Sequence, residues 1–201
     1  MDAVQRKLAA TLDTAEGVRS PGGARQILSD IKEMDSMQIP TPFDNARDVV
    51  RPEWIDYNGH MNVGYYQVVF DIAADTFFDC LGLTQGFRAR HGSTTFALES
   101  HGNYLREVKS GDPLRFEARL LDFDAKRIHF YQEMFHATEG YLAATQESLS
   151  AHVSMATRRI SPFPAELLER LTAIKAAHAA LVRPWQIGHV IQAAGLKRAG
   201  G

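Results

Sequence analysis

The stretch Asp56-Tyr57-Asn58-Gly59-His60-Met61-Asn62, together with the largely apolar run Val63–Leu81 that follows it, decides the fold of this chain. The first segment is polar and contains a glycine, which is typical of a loop. Asn62 is a favourable N-cap residue, and Gly82 is of the type that commonly ends helices. The sequence therefore predicts a loop followed by a helix over Val63–Leu81.

This predicted helix is apolar around most of its circumference. Its polar residues recur at every fourth position and form one narrow stripe, namely Gln67, Asp71, Asp75 and Asp79. A helix with so little polar surface has to be covered by other structure. Because carboxylates four residues apart repel one another, we expect the stripe itself to reach solvent.

Strand-like segments lie on both sides of the helix. Asp48–Ile55 is rich in β-branched and aromatic residues and predicts a first strand, which Pro52 confines to a sheet edge or a bulge. Further segments separated by short turn sequences predict consecutive antiparallel strands: Thr94–Glu107, Pro113–Asp124, Arg127–His136 and Leu142–Thr157. The predicted fold class is α+β, with a curved antiparallel sheet of about five strands wrapped around one long central helix.

The two ends of the chain differ from this central region. Residues 1–46 contain two short, weakly helical stretches, Val4–Leu12 and Ala24–Met34, and breaker sequences, so we expect a partly ordered N-terminal arm or linker. The central domain is predicted to span residues 47–163. Residues 164–201 predict an amphipathic C-terminal helix and then a tail, because leucines and an isoleucine recur there at helical spacing.

Composition limits the classes of function. The chain has 201 residues and a formal net charge of −2, which gives no electrostatic reason to expect a nucleic acid or an anionic membrane as a partner. No apolar run is long enough to span a bilayer, and the N-terminal residues lack a signal-peptide pattern. Cys80 is the only cysteine, so no internal disulfide can form, and we expect a cytoplasmic protein.

Several catalytic machineries are absent from the sequence. It contains no Gly-x-Ser-x-Gly elbow, no glycine-rich phosphate loop and no dinucleotide-binding fingerprint. The histidines form no His-Glu-x-x-His pattern and no Cys/His cluster, so we expect neither a metal nor a cofactor. We interpret Cys80 as a small buried hydrophobic residue rather than a nucleophile.

The loop 56–62 therefore carries the candidate chemistry. Asp56 is a carboxylate a few residues before a helix N-terminus, whose unpaired N–H groups can hold a carbonyl oxygen and the oxyanion that develops on it. The carboxylate could approach the same carbonyl carbon as a nucleophile or act as a base for water. Gly59 would let the backbone come close to a substrate. The alternative is purely structural: Asp56 forms an Asx turn and His60 packs on the sheet.

Val50–Asn62, followed by Tyr65-Tyr66, resembles the signature of the 4-hydroxybenzoyl-CoA thioesterase-like hotdog enzymes. The later motif Tyr104-Leu105-Arg106-Glu107, with Ser110-Gly111-Asp112, resembles the third segment of that family and its turn. The resemblance runs from about Val49 to Pro164. It implies a hotdog fold, hydrolysis of an acyl-CoA thioester without a separate cofactor, and a homodimer or dimer of dimers with sites at the subunit interface.

The resemblance also implies roles for individual residues. Asp56 would be the nucleophile or general base, the backbone amide of His60 or a neighbour would polarise the thioester carbonyl, and Asn62 would position water or the helix start. Gly59 belongs to the same catalytic loop. Basic residues are candidates for binding the CoA phosphates: Arg106, Lys109, Arg158 and Arg159. Some hotdog enzymes use a carboxylate on the central helix instead, and Asp71 is the one that could serve here.

The preferred acyl group is predicted to be short and cationic. The stretches Trp54–Tyr66 and Phe96–His101 resemble betainyl-CoA thioesterases associated with carnitine dehydrogenases. Independently, these stretches supply aromatic faces and a carboxylate that could bind a quaternary ammonium: Trp54, Tyr57, Tyr66, Phe96 and Glu99. The alternative is that the aromatics fill the core and Glu99 pairs with an arginine, in which case a neutral short- or medium-chain acyl-CoA is the substrate.

Three other interpretations stay open. A hotdog hydratase or dehydratase would need an Asp–His pair at wider spacing with an Asn-Pro between, which the loop lacks. A non-catalytic acyl-CoA binder would not need Asp56, since desolvating a carboxylate is costly. The chain could also be a fragment of a fused polypeptide, which would account for the N-terminal arm.

Overall fold

Helix α1 spans Val63–Leu81 in the computed structural model, which describes residues 39–192. The side chain of Asn62 accepts a hydrogen bond from the Gly64 amide at 2.9 Å and caps the first turn. Gly82 has a φ of +97° and ends the helix in the left-handed conformation. Both predicted ends of this helix are therefore confirmed.

One antiparallel sheet packs against this helix. Its strands are β1 Phe43–Val49, β2 Ser93–Tyr104, β3 Pro113–Phe123, β4 Arg127–His136, β5 Leu142–Ser154 and the short β6 Arg159–Ile160. The order across the sheet is β1-β3-β4-β5-β2, and β6 pairs with β5. Two further helices, α2 Gln85–His91 and α3 Ala165–His178, precede β2 and follow β6 in the chain. This α+β arrangement confirms the predicted fold class.

The first strand differs from the prediction. It spans Phe43–Val49 and pairs with β3, whereas the sequence predicts Asp48–Ile55. Pro52 is the reason, because it has no N–H group for the sheet ladder and begins a 3-10 turn over Pro52–Trp54 instead. The predicted helical stretches of the N-terminal arm lie outside the described residues.

Helix α2 lies between the predicted central helix and the predicted strand Thr94–Glu107, where no further element is predicted. The hydroxyl of Thr84 accepts the Phe87 amide at 3.2 Å and caps the helix. Gly92 ends it in the left-handed conformation with a φ of +56°. A capping threonine and a terminating glycine at this spacing are the sequence signal that indicates the helix.

The apolar side of α1 packs on one face of the sheet, which we call the inner face. Phe70 lies edge-on to Phe116 of β3 with ring centroids 5.7 Å apart, and Phe77 stacks on Phe130 of β4 at 5.0 Å. Burial of each such side chain contributes about 1.5–3 kcal/mol. The polar stripe of α1 is exposed, as predicted. No helix within residues 39–192 is both long and apolar enough to cross a membrane.

His178, the last residue of α3, covers the edge of β3 just past the point where β1 stops pairing with it. Its Nδ1 accepts the Leu120 amide at 3.0 Å, and its Nε2 lies 3.0 Å from the carbonyl oxygen of Pro40. Only the neutral imidazole with its proton on Nε2 can make both hydrogen bonds. Burial lowers the pKa of His178 below its ordinary value.

The free energy of unfolding is expected to fall as the pH drops below about 6.5, because unfolded His178 then binds a proton that the folded imidazole resists. The unfolded state holds more protons in this window, so stability rises with pH there and levels off above it. His178→Gln keeps one acceptor and one donor but cannot titrate. The free energy of unfolding, measured with urea between about pH 5 and 8, should change less with pH for this variant than for the wild type. An equal pH dependence in both proteins would contradict the role given to His178.

Candidate active site

Residues 56–62 form a tight loop that leads into α1. The Gly59 amide donates to the Asp56 carbonyl at 3.0 Å, and the Asp56 amide donates to the His60 carbonyl at 3.2 Å. Gly59 has a φ of +81°, a left-handed conformation that favours glycine. The turn itself therefore explains why a glycine occupies this position.

The loop is fixed to two other segments of the chain. The Met61 amide donates to the Val108 carbonyl at 2.9 Å, and the Asn62 amide donates to the Trp54 carbonyl at 2.9 Å. Val108 follows β2, so the first bond ties the loop to the segment after that strand. The position of the loop thus depends on residues that are far away in the sequence.

The Asp56 carboxylate is half-buried and has two contacts. Its Oδ1 accepts the Asn58 amide at 2.8 Å, which is the Asx turn of the structural interpretation. Its Oδ2 lies 3.4 Å from Nδ2 of Asn62, a long contact that leaves most of its hydrogen-bonding capacity available. The Asx turn and a chemical role for Oδ2 are therefore compatible.

Three backbone N–H groups of this region have no acceptor among residues 39–192, those of Tyr57, His60 and Val63. Val63 is the first residue of α1, where the helix dipole adds partial positive charge. Donors of this kind stabilise a carbonyl oxygen that becomes negatively charged. The loop can therefore present a carboxylate and an oxyanion site to one carbonyl group.

Asp56 lines a cleft of about 480 Å³. The loop and the first turns of α1 form one side of it, and residues 104–107 form the other. Tyr66 of α1 and Tyr104 of β2 meet with ring centroids 5.0 Å apart at an interplanar angle of 68°. Burial raises the pKa of Tyr66 to about 12, although the Val108 amide acts in the opposite direction, so this phenol stays neutral near pH 7.

The cleft brings together most of the loop residues that the sequence indicates. Those that line it are Asp56, Tyr57, His60, Asn62, Tyr66 and Arg106. Among the other lining residues, sequence reasoning gave no role to Tyr104, Leu105 and Glu107. They flank Arg106 in the motif that carries the family resemblance, and their position next to Arg106 is the sequence signal that could have identified them.

Two aromatic residues that were predicted to bind substrate do not line this cleft. Trp54 is buried, stacks on Tyr65 at 5.7 Å and has the Arg51 guanidinium 4.8 Å from its ring. Phe96 has the guanidinium of Arg158 at 5.1 Å. Because neither ring lines the Asp56 cleft, their placement argues against the predicted role.

Glu99 lines a second cleft, of about 660 Å³, on the outer face of the sheet. The strand register identifies the face. Gly102 pairs with Gln146, whose side chain bonds to Gln67 of α1, so this pair lies on the inner face. The adjacent pair His101 and Glu147 lies on the outer face, and so does Glu99, two residues before His101. Within one chain, Glu99 and Asp56 therefore occupy different clefts. A single chain therefore does not form the predicted group of Glu99 with the aromatic residues of the loop.

The remaining sequence candidates also lie outside the Asp56 cleft. Four of them are exposed side chains: Asp71, Lys109, Arg158 and Arg159. Cys80 is half-buried near the end of α1. Among residues 39–192, no three potential ligands are grouped closely enough to hold a metal ion.

Comparison with known proteins relates this chain to an enzyme family. A family model described as the thioesterase-like superfamily matches residues 50–171. A betainyl-CoA thioesterase of Pseudomonas aeruginosa is 39% identical over 154 residues, which cover 77% of this chain and 95% of that protein. An L-carnitine dehydrogenase/betainyl-CoA thioesterase of Rhizobium meliloti is 30% identical over 171 residues, which cover 81% of this chain and 34% of that protein.

Solved structures share the fold. A hypothetical protein of Staphylococcus aureus in complex with CoA has a TM-score of 0.69 at 29% identity, covering 78% of this chain and 98% of that chain. A DHNA-CoA thioesterase of the same organism has a TM-score of 0.61 at 15% identity, covering 73% and 95%, which is a likeness in fold alone. The predicted hotdog fold is confirmed.

Proposed function

The chain belongs to the thioesterase-like superfamily, and from this premise we propose that it hydrolyses betainyl-CoA to CoA and glycine betaine. The observation that carries the proposal is one cleft that holds the Asp56 carboxylate beside the unpaired N–H groups of His60 and Val63. The Pseudomonas aeruginosa relative, which is named a betainyl-CoA thioesterase and is matched over 95% of its length, supports the choice of substrate.

The thioester carbonyl would lie with its oxygen at the His60 and Val63 amides and its carbon before Oδ2 of Asp56. Asp56 then either attacks the carbon and expels the CoA thiolate, giving an anhydride that water hydrolyses, or takes a proton from an attacking water. Both routes consume one water and release one thiol and one carboxylate. CoA enters as part of the substrate, so neither route uses a separate cofactor.

The CoA part of the substrate would extend toward exposed basic residues. The Arg106 guanidinium lies 3.7 Å from the Tyr141 ring, which holds it at the rim of the cleft. Arg106 and the exposed Lys109 are our candidates for phosphate contacts. The CoA complex of a 29% identical structure supports a ligand of this class. We further propose a cytoplasmic location, which suits a chain with one cysteine.

We also propose that the enzyme is a homodimer or a dimer of dimers. Strand β2 has 12 residues and lies at one edge of the sheet, where unpaired backbone groups invite pairing with another strand. Residues 96–100 are exposed in succession, and Phe96 and Leu98 are 38% and 48% exposed. A second copy of the same edge would cover these apolar side chains through an isologous contact.

Product analysis tests the proposed activity. The purified full chain is incubated with betainyl-CoA, and free thiol and glycine betaine are measured together. We expect the two products in equal amounts, with the Asp56→Asn protein as control for contaminating thioesterases. If the wild type releases no more thiol than the Asp56→Asn protein, the proposed activity is contradicted.

Asn62→Asp tests how the carboxylate is oriented. The new aspartate should still cap the Gly64 amide, so the free energy of unfolding should stay within about 0.5 kcal/mol of wild type. It replaces the donor that faces Oδ2 of Asp56 with a like charge, and we expect kcat to fall about ten-fold. A variant that loses stability but keeps its kcat would show that Asn62 serves only as a cap.

A further inference from the structure

We infer that the receptor for the cationic acyl group lies in the Asp56 cleft itself: the rings of Tyr66 and Tyr104 hold the trimethylammonium group, and Glu107 supplies the negative charge. This inference rests on the proposed function, whose substrate carries that group. It replaces the combination of Trp54, Phe96 and Glu99 that sequence reasoning favours.

The chemistry of the substrate limits where the receptor can be. In a betainyl thioester the quaternary nitrogen is only two bonds from the carbonyl carbon that reacts. Side chains that contact this nitrogen must therefore line the same cleft as Asp56. Glu99 lines the outer-face cleft of the chain, whereas Tyr66, Tyr104 and Glu107 line the Asp56 cleft.

The two tyrosines form a fixed aromatic surface. Tyr66 is 5% exposed, and its ring is held in place by the buried core around it. Tyr104 meets this ring edge-to-face and is 53% exposed, so part of its ring faces the open cleft. A quaternary ammonium has no hydrogen-bond donor and is bound by aromatic faces of this kind.

Gly102 allows the Tyr104 ring to adopt this position. A Cβ atom at residue 102 would lie 3.1 Å from the Tyr104 hydroxyl oxygen and 3.4 Å from Cζ. The two residues are on the same face of β2, so the ring lies back along the strand over the glycine and against Tyr66. Gly102 is therefore a positioning residue for the aromatic surface.

The charges of the cleft favour a cation over a neutral acyl group. Two carboxylates line it, those of Asp56 and Glu107, against the single guanidinium of Arg106. That guanidinium is engaged on the Tyr141 ring. Glu107 contacts Lys109 at 3.5 Å, but both side chains are exposed and such a pair is weak, so the carboxylate stays available.

A pair of substrates of equal shape isolates the charge. 3,3-Dimethylbutanoyl-CoA carries a tert-butyl group where betainyl-CoA carries trimethylammonium. The measured quantity is the ratio of kcat/KM for the charged substrate to that for the neutral one. The charged thioester is intrinsically more reactive, but this effect is the same for every variant and cancels when ratios are compared.

We expect Tyr104→Leu to lower this ratio about ten-fold and Tyr104→Phe, which keeps the aromatic face, to preserve it. Gly102→Ala should lower it by displacing the ring, and Glu107→Gln should lower it about three-fold by removing the charge. The matched control is Glu99→Gln, a carboxylate of the other cleft, which should leave the ratio unchanged.

Binding to the Asp56→Asn protein supplies a readout that does not depend on turnover. The dissociation constants of the two substrates for this protein should differ in favour of betainyl-CoA, and Tyr104→Leu should reduce the difference. An equal loss for both substrates in Tyr104→Leu, or a ratio that responds to Glu99→Gln instead, would overturn the inference. A wild type that hydrolyses neither substrate but shows the binding difference would refute the proposed function and leave the receptor in place.

Discussion

Replacement of Asp56 by asparagine is expected to lower kcat for thioester hydrolysis about a thousand-fold while the fold stays intact. Asparagine has the same size and keeps an oxygen for the Asn58 amide, which Oδ1 of Asp56 accepts at 2.8 Å. It lacks the negative charge, so it can neither attack the carbonyl carbon nor take a proton from water. Steady-state thiol release and urea unfolding of the same preparation measure the two effects separately.

Asp71→Asn is the matched control for this substitution. Asp71 is an exposed carboxylate of α1 outside the Asp56 cleft, and some hotdog enzymes use a carboxylate at such a position. We expect the control to keep its kcat within about two-fold of wild type. If Asp56→Asn retained more than about a tenth of the turnover, the chemical role would move to Asp71 or elsewhere.

If the chain forms the proposed dimer, Leu98→Lys is expected to convert it to a monomer and to lower kcat/KM about a hundred-fold. Leu98 is an exposed apolar residue on the edge strand β2, and a lysine on an edge strand opposes pairing with a second copy. The end of the same strand supplies Tyr104 to the cleft, so loss of the partner would disturb the geometry on which the reaction depends. Sedimentation velocity and thiol release at equal protein concentration measure both effects.

The control for Leu98→Lys is the same change at Val182, an apolar residue that is 86% exposed and lies outside β2. This protein should remain dimeric and active. A wild type that sediments as a monomer at micromolar concentration, or a monomeric Leu98→Lys protein with full activity, would contradict a site that needs the dimer.

The elements that the sequence predicts well carry their boundary signals locally. Both ends of α1 are determined by single residues, Asn62 and Gly82, whose capping behaviour does not depend on distant contacts. The first strand ends earlier than predicted. The alternation of apolar and polar residues continues past Val49, but Pro52 has no N–H group for pairing with the neighbouring strand. The position of the candidate loop 56–62 at the start of α1 is predictable for the same reason as the helix, since its signals lie in a few consecutive residues.

The residues that we propose for substrate binding are less predictable, because their positions depend on strand register. A β-bulge between Ala97 and Glu99 places both Phe96 and Glu99 on the outer face, although they are three positions apart. A shift of one residue moves a side chain to the opposite face of the sheet, and no sequence signal marks this bulge. Tyr104 lies beside the loop because the hydrogen bond from the Met61 amide to the Val108 carbonyl holds the end of β2 next to it. The local sequence pattern does not reveal this contact.

The measurement that tests the central claim most directly compares kcat/KM of the purified wild-type chain for betainyl-, butyryl- and hexanoyl-CoA. Hydrolysis is monitored through the release of free thiol. We predict that all three rates depend on Asp56 and that betainyl-CoA has the highest kcat/KM. Faster hydrolysis of the neutral thioesters would contradict the proposed preference for a cationic acyl group. The absence of thiol release from every thioester would contradict the thioesterase activity.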